Sequence, residues 1–307
     1  MAPSCTETAC ALGLTGNLVA VNINDGDPPQ IAGLPKLDNI HPDWEALVAL
    51  EPQAVLVEES ICTQGFMERM QALHLNVVSL RTETLGDLYR NLPEWGRRLH
   101  CSERALELRR TIGQQMSQMR QHSAAMAHHP SVYIDVFHSP LISAAQNSLC
   151  QELVELAGGR NIFADLPSAY PTISAEELIK RAPQIAVLTS ISAAQAKEHP
   201  VLGRLEAVRA GRIIELNPSL LQRPTPRCLE GAKILQAYFE RWNAAQDGHP
   251  NVAQGERTNV AQDEHPNVAQ GERTNAAQDE RPNVAQGERT NAAQDERTYS
   301  GSGASRL

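Results

Sequence analysis

The chain predicts an α/β protein: two Rossmann-like lobes joined by a single long helix, followed by a low-complexity tail. Three observations carry that reading. Short apolar strands alternate with amphipathic helices in two separate blocks, as parallel sheets covered by helices require. Between the blocks lies SERALELRRTIGQQMSQMRQHSAAMA, which favours helix throughout. From residue 243 the composition changes to an eight-residue repeat, NAAQDGHP, NVAQGERT and variants, ending at Thr298. The expected divisions are 1–102 for the first lobe, 103–129 for the bridging helix, 130–242 for the second lobe and 243–307 for the tail.

Taken in order, residues 4–13 read as a helix with Ser4 or Thr6 as cap and Gly13 as stop. LVAVN (18–22) reads as a strand and DGDPPQIAGLP as a loop. Asp43 can cap a helix from Trp44 to about Glu51, because its carboxylate can accept an otherwise unpaired amide. Pro52 ends that helix, since the residue before a proline disfavours the α region. AVLV (54–57) and NVVSL (76–80) are buried strands around the helix FMERMQALHL. After the long helix, SVYIDVF (131–137) is a strand and SLCQELVELAGG (148–159) a helix with a glycine stop. Ser174 and Glu177 have the S-x-x-E spacing of a capping box. QIAVLTS and GRIIELN (211–217) are strands, and PRCLEGAKILQAYFERW (226–242) is a closing helix.

One phrase occurs twice. PDWEALVALEPQAVLV (42–57) and ISAEELIKRAPQIAVL (173–188) share a glutamate, a leucine and a Pro-Gln pair in one register. Glu45 and Glu176 lie 131 positions apart, as do Pro52 and Pro183. An acid in a first helical turn is favoured by the helix dipole. Matched acids in two related lobes also suit a symmetric partner, one acid to each subunit.

Composition removes several function classes. The net charge is −9, and no basic patch with interleaved aromatics suggests nucleic-acid binding. The tail holds ten acids against six arginines, so −4 of that charge lies there and −5 in the body. Its octets are too polar to offset the entropy of ordering, so the tail is expected to be disordered. No apolar run approaches the roughly 18 residues that suggest a membrane span. Six scattered cysteines without a CxxC pair read as buried thiols. No phosphate-binding loop, nucleophile elbow or zinc motif is present, so no catalytic or metal residue is assigned and no enzymatic activity is expected. His128 and His129 fall at a helix end, where they can satisfy free carbonyls. His138 follows a strand end, where ligands collect in open α/β sheets.

APSCTETACALGL, DPPQIAGLP, WEALVALEPQAVLV, VELAGGRNIF, YPTISAEEL and AVRAGRIIELNPSLLQRPTPRCLEG occur in that order. With this set, residues 1–240 resemble the substrate-binding proteins of ABC importers for cobalamin, haem and iron-siderophores, nearest the cobalamin-binding members. The resemblance implies the helical-backbone periplasmic binding protein fold, with cobalamin or another metal chelate held between the lobes and no resident cofactor. It implies that Glu45 and Glu176 dock into arginine-lined pockets of a permease dimer. The matching cleft positions are Asn24, Glu58, Phe137, His138, Tyr170 and Ser219. The counterparts of Asn24 and Glu58 are aromatic in the cobalamin-binding relative, whereas Tyr170 keeps a ring. The implied protein is a monomer outside the cytoplasm. Members carry a signal sequence and a first strand before the motif that opens this chain, so a missing strand, an exposed sheet edge and a late start are expected. A chain that truly began at Met1 would stay in the cytoplasm, as a sensor or scavenger on the same fold.

Overall fold

The computed structural model describes residues 2–26 and 28–246. The expected tail lies outside the described residues from position 247 onward.

The first lobe starts with α1 (Pro3–Ala11) and continues through β1 (Val21–Asn22), β2 (Lys36–Leu37), α2 (Trp44–Ala49), β3 (Val55–Glu58), α3 (Gln64–Ala72) and β4 (Val77–Leu80). Neither Ser4 nor Thr6 caps α1. The cap position is Ala2, and no side chain serves it. Both hydroxyls are buried and used across the lobe instead: Ser4 donates to Glu58, and Thr6 donates to Asp25 at 2.6 Å. Gly13 does end the helix. Its φ of +71° is open to a residue without Cβ, and its amide returns to the Cys10 carbonyl at 2.8 Å. Asp43 caps α2 as expected, accepting from the Ala46 amide at 2.9 Å.

Strand pairing in this lobe is divided. β1 runs parallel to β2, β3 runs parallel to β4, and no described strand joins the two pairs. A cavity of about 730 Å³ lies between them, bounded by Val21 of β1, Leu56 of β3, Thr6 of α1 and Leu47 of α2. The expected strand 18–22 shrinks to Val21 and Asn22, because pairing with β2 covers only those two residues.

Two helices form the spine. α4 (Leu85–Arg98) opens with a capping box between Thr84 and Asp87, and α5 (Ser102–Ala124) is the bridging helix. At 1.5 Å per residue its 23 residues span roughly 35 Å. The two helices cross closely at Gly96, where an added Cβ would come within 2.4 Å of the Ala105 Cβ.

The second lobe contains β5 (Ser131–His138), β6 (Leu141–Ser143), α6 (Leu149–Leu156), β7 (Arg160–Asn161), α7 (Ala175–Arg181) and β8 (Ile185–Leu188). It is completed by α8 (Ala193–Glu198), α9 (Glu206–Arg209), β9 (Ile213–Glu215), α10 (Pro218–Gln222) and α11 (Cys228–Gln246). Its sheet is continuous, in the order β6-β5-β8-β9, with β7 pairing the first residues of β5. Only β6 is antiparallel. α11 extends to Gln246, four residues beyond the expected boundary, and Asn243 binds the His128 amide at 2.8 Å. Ser174 caps α7 through the Glu177 amide at 3.1 Å, but Glu177 does not return the bond: its carboxylate pairs with Arg181 at 2.7 Å.

The main core runs through both lobes, with Leu12 and Trp95 in the same cluster as Leu153 and Phe239. A half-buried ion pair, with the carboxylate inside and the guanidinium partly exposed, reinforces that seam. Glu7 on α1 accepts from Arg223 at 3.0 Å and from Thr225 at 2.8 Å. All six cysteines are free thiols, and four of them are buried.

Candidate functional site

The parallel strands of an α/β lobe end where ligands gather, because the loops after them are not tied to the sheet. Five of the six expected cleft residues lie at or near such ends. Asn24 sits in the turn after β1, exposed, with its amide on the Asn22 side chain at 2.9 Å. Glu58 ends β3 and is half-buried beside Pro224, which comes from the second lobe. Burial pushes the Glu58 carboxyl above its ordinary range, against the hydrogen bond donated by Ser4. The pocket at this point has an accessible volume of only about 10 Å³, room for about one water.

The second lobe supplies the aromatic surface. Phe137 and His138 end β5, after a shift of the β5–β6 register between Asp135 and Phe137. Phe137 is 45% exposed and Tyr170 43% exposed, an unusual state for large rings in a packed lobe. Tyr170 shows its ring while its hydroxyl meets the buried Cys150 thiol, and burial raises that phenol far above its ordinary range. It is a surface for stacking rather than a phenolate. Ser219 is buried, and its hydroxyl and amide both bind Asn217, at 2.8 and 2.9 Å. It shapes the start of α10, with its hydroxyl already committed.

Three residues at this end escaped the sequence reading. Asp135 is fully buried in β5 and accepts from the Ser190 hydroxyl at 2.9 Å and the Ser190 amide at 3.0 Å. Ser190 in turn contacts His138 Nδ1 at 2.9 Å. His199 stands edge-on to His138, with ring centroids 6.2 Å apart. An aspartate inside the apolar run SVYIDVF was the available signal, since an acid is buried only with partners.

The two matched acids lie elsewhere. Glu45 is the second residue of α2 and Glu176 the second of α7, both exposed. Neither carboxylate is paired with any described residue, in contrast to Glu177 beside Glu176. Among the described residues no helix is long and apolar enough to cross a membrane.

Comparison with known proteins agrees with this architecture. The model of the family described as periplasmic binding protein matches residues 1–220. The vitamin B12-binding protein of Vibrio cholerae serotype O1 is 27% identical over 251 residues, covering 78% of this chain and 87% of the relative. The crystal structure of the periplasmic vitamin B12 binding protein of Vibrio cholerae has a TM-score of 0.66 at 26% identity, covering 78% of this chain and 94% of that one. A periplasmic heme binding protein from Pseudomonas aeruginosa has a TM-score of 0.69 at 26% identity, with 77% and 90% covered. The chain belongs to the periplasmic binding protein family.

Proposed function

We propose that the protein captures cobalamin or a related metal chelate between its lobes, outside the cytoplasm, and delivers it as a monomer to the permease of an ABC importer. The observation that carries this reading is the pair Glu45 and Glu176. Each is an exposed, unpaired carboxylate at the same turn of the same helix–strand unit, one per lobe. A two-fold permease offers two equal sites, and guanidinium groups there would hold each carboxylate in a two-pronged, charge-assisted contact. Asn24, Glu58, Phe137, His138, Tyr170 and Ser219 are the proposed ligand-binding residues. The exposed rings of Phe137 and Tyr170 provide flat surface for a macrocycle. The relatives named for vitamin B12 and heme support a large metal chelate as the ligand. The work is differential binding, with no catalytic step.

The double variant Glu45→Ala/Glu176→Ala tests the docking half. Each charge-assisted contact contributes about 1.5 kcal/mol or more, so each substitution weakens permease docking at least about tenfold. Ligand affinity should stay unchanged while uptake falls. Uptake at the wild-type rate by the double variant would refute the assignment.

A further inference from the structure

We infer that the docking helix of the first lobe makes an apolar contact beside its acid, through Ile40 and Val48, and that the docking helix of the second lobe makes none. The inference rests on the proposed docking at an ABC permease and adds a surface to it. The permease pocket that receives Glu45 carries apolar side chains around its guanidinium groups.

The two helices can be compared position by position, because the repeated phrase keeps one register. With Glu45 opposite Glu176, Ala46 stands opposite Glu177, Val48 opposite Ile179, Ala49 opposite Lys180 and Leu50 opposite Arg181. Where α7 has the ion pair of Glu177 with Arg181, at 2.7 Å, α2 has Ala46 and Leu50, both packed against the first-lobe core. Arg181 also donates to Asp165 at 2.9 Å and lies over the Phe163 ring, 4.8 Å from its centroid. Residues three and four apart share one side of a helix. The side of α7 that carries Glu176 therefore continues into Lys180, which is exposed. The side of α2 that carries Glu45 continues into Val48 and Ala49, both exposed.

The fold makes no use of the two apolar side chains. Val48 is 41% exposed, and Ile40, in the loop that leads into α2, is 74% exposed. Neither belongs to a core among the described residues, whereas Ile179, opposite Val48, packs against the core of the second lobe. Single exposed apolar residues are ordinary, but these two flank one unpaired carboxylate on one short stretch of chain.

Charge selects the occupant. Residues 38–51 contain Asp38, Asp43, Glu45 and Glu51 and no Lys or Arg. An anionic lipid surface would be repelled there, and a symmetric contact with a second copy would set the same acids face to face. A cationic protein pocket with an apolar rim complements both the acid and its neighbours. On a two-fold permease both pockets have that rim, so the first lobe fills it with Val48 and Ile40 while the second presents Lys180 to it.

The test is the dissociation constant of the full chain for the permease dimer of its own importer in lipid nanodiscs, at about 0.15 M and about 1 M salt, where the acids are largely screened. Wild type should dock at both, more weakly at high salt. Ile40→Ala/Val48→Ala should dock about tenfold more weakly at both, because burial of apolar surface is not screened. Its thermal midpoint should match wild type, since both side chains stand in solvent. Ala49→Lys, which copies Lys180 into the first helix, should also weaken docking. Wild-type docking by Ile40→Ala/Val48→Ala at both salt concentrations overturns the apolar contact while docking through the acids stands. A lowered midpoint in that variant assigns the side chains to the fold, and binding to permease-free nanodiscs that the variant loses assigns them to lipid; either overturns the inference. If wild type does not bind the permease, or Glu45→Ala/Glu176→Ala binds as wild type does, the docking reading itself falls.

Discussion

The unit α2–β3 in the first lobe and the unit α7–β8 in the second share one sequence pattern but occupy different surroundings. Both helices begin at a polar cap, Asp43 or Ser174, and both carry an unpaired glutamate at their second position. Beyond that they diverge. All four residues of β8 are buried, between β5 and β9 in one continuous sheet. β3 alternates between buried and half-buried residues, pairs with β4, and has the cavity of about 730 Å³ beside it. The repeated phrase thus sets cap, helix and strand direction locally, whereas burial depends on what closes over the unit. The acids are the part of the unit that this difference leaves untouched.

The largest expected effect comes from breaking the seam that holds the two regions together. Arg223→Ala leaves Glu7, whose side chain is 3% exposed, with only the hydroxyl of Thr225, just before α11, as its side-chain partner among the described residues. A buried carboxylate stripped of its cation should cost about 3 kcal/mol, read as a lower denaturation midpoint in urea. A change under about 0.5 kcal/mol would mean that the pair does not hold the lobes.

The next effect separates the two strands directly. Leu188→Ala empties a position that is 1% exposed in β8 and should cost about 3 kcal/mol. Leu56→Ala, on the half-buried side of β3 beside the cavity, should cost about 1 kcal/mol. Equal losses at the two positions would erase the contrast between the lobes.

The smallest effect concerns Glu58 at the end of β3 and has a definite sign. Burial raises its carboxyl above the ordinary value, with Ser4 opposing. An acid raised in the folded state gives its full stabilisation below its unfolded pKa and loses it as pH rises through the folded value. Glu58→Gln should therefore raise the thermal midpoint at pH 7 and bring no gain below about pH 4. A gain of equal size at both pH values would show that the ionised carboxylate is not the cause.

The architecture was readable because it rests on local signals. Asp43, Ser174 and Gly13 act over a turn of chain, and the apolar runs at 54–57 and 185–188 are short enough to mark strands. Short-range pattern was also misleading where tertiary partners took over: Ser4 and Thr6 look like caps but bind Glu58 and Asp25. The site was only half-readable. Phe137 and His138 follow a strand and attract notice, but Asp135 and Ser190 are 55 residues apart and meet through the pairing of β5 with β8. Glu7 and Arg223, 216 residues apart, carry no sequence signal of their contact.

The central claim is capture of a metal chelate. It is tested most directly by the thermal midpoint of the wild-type protein with cobalamin, ferric haem and a ferric siderophore. A true ligand at 100 times its dissociation constant adds about 2.7 kcal/mol, so one of these should raise the midpoint clearly. An unmoved midpoint with all three would contradict the account.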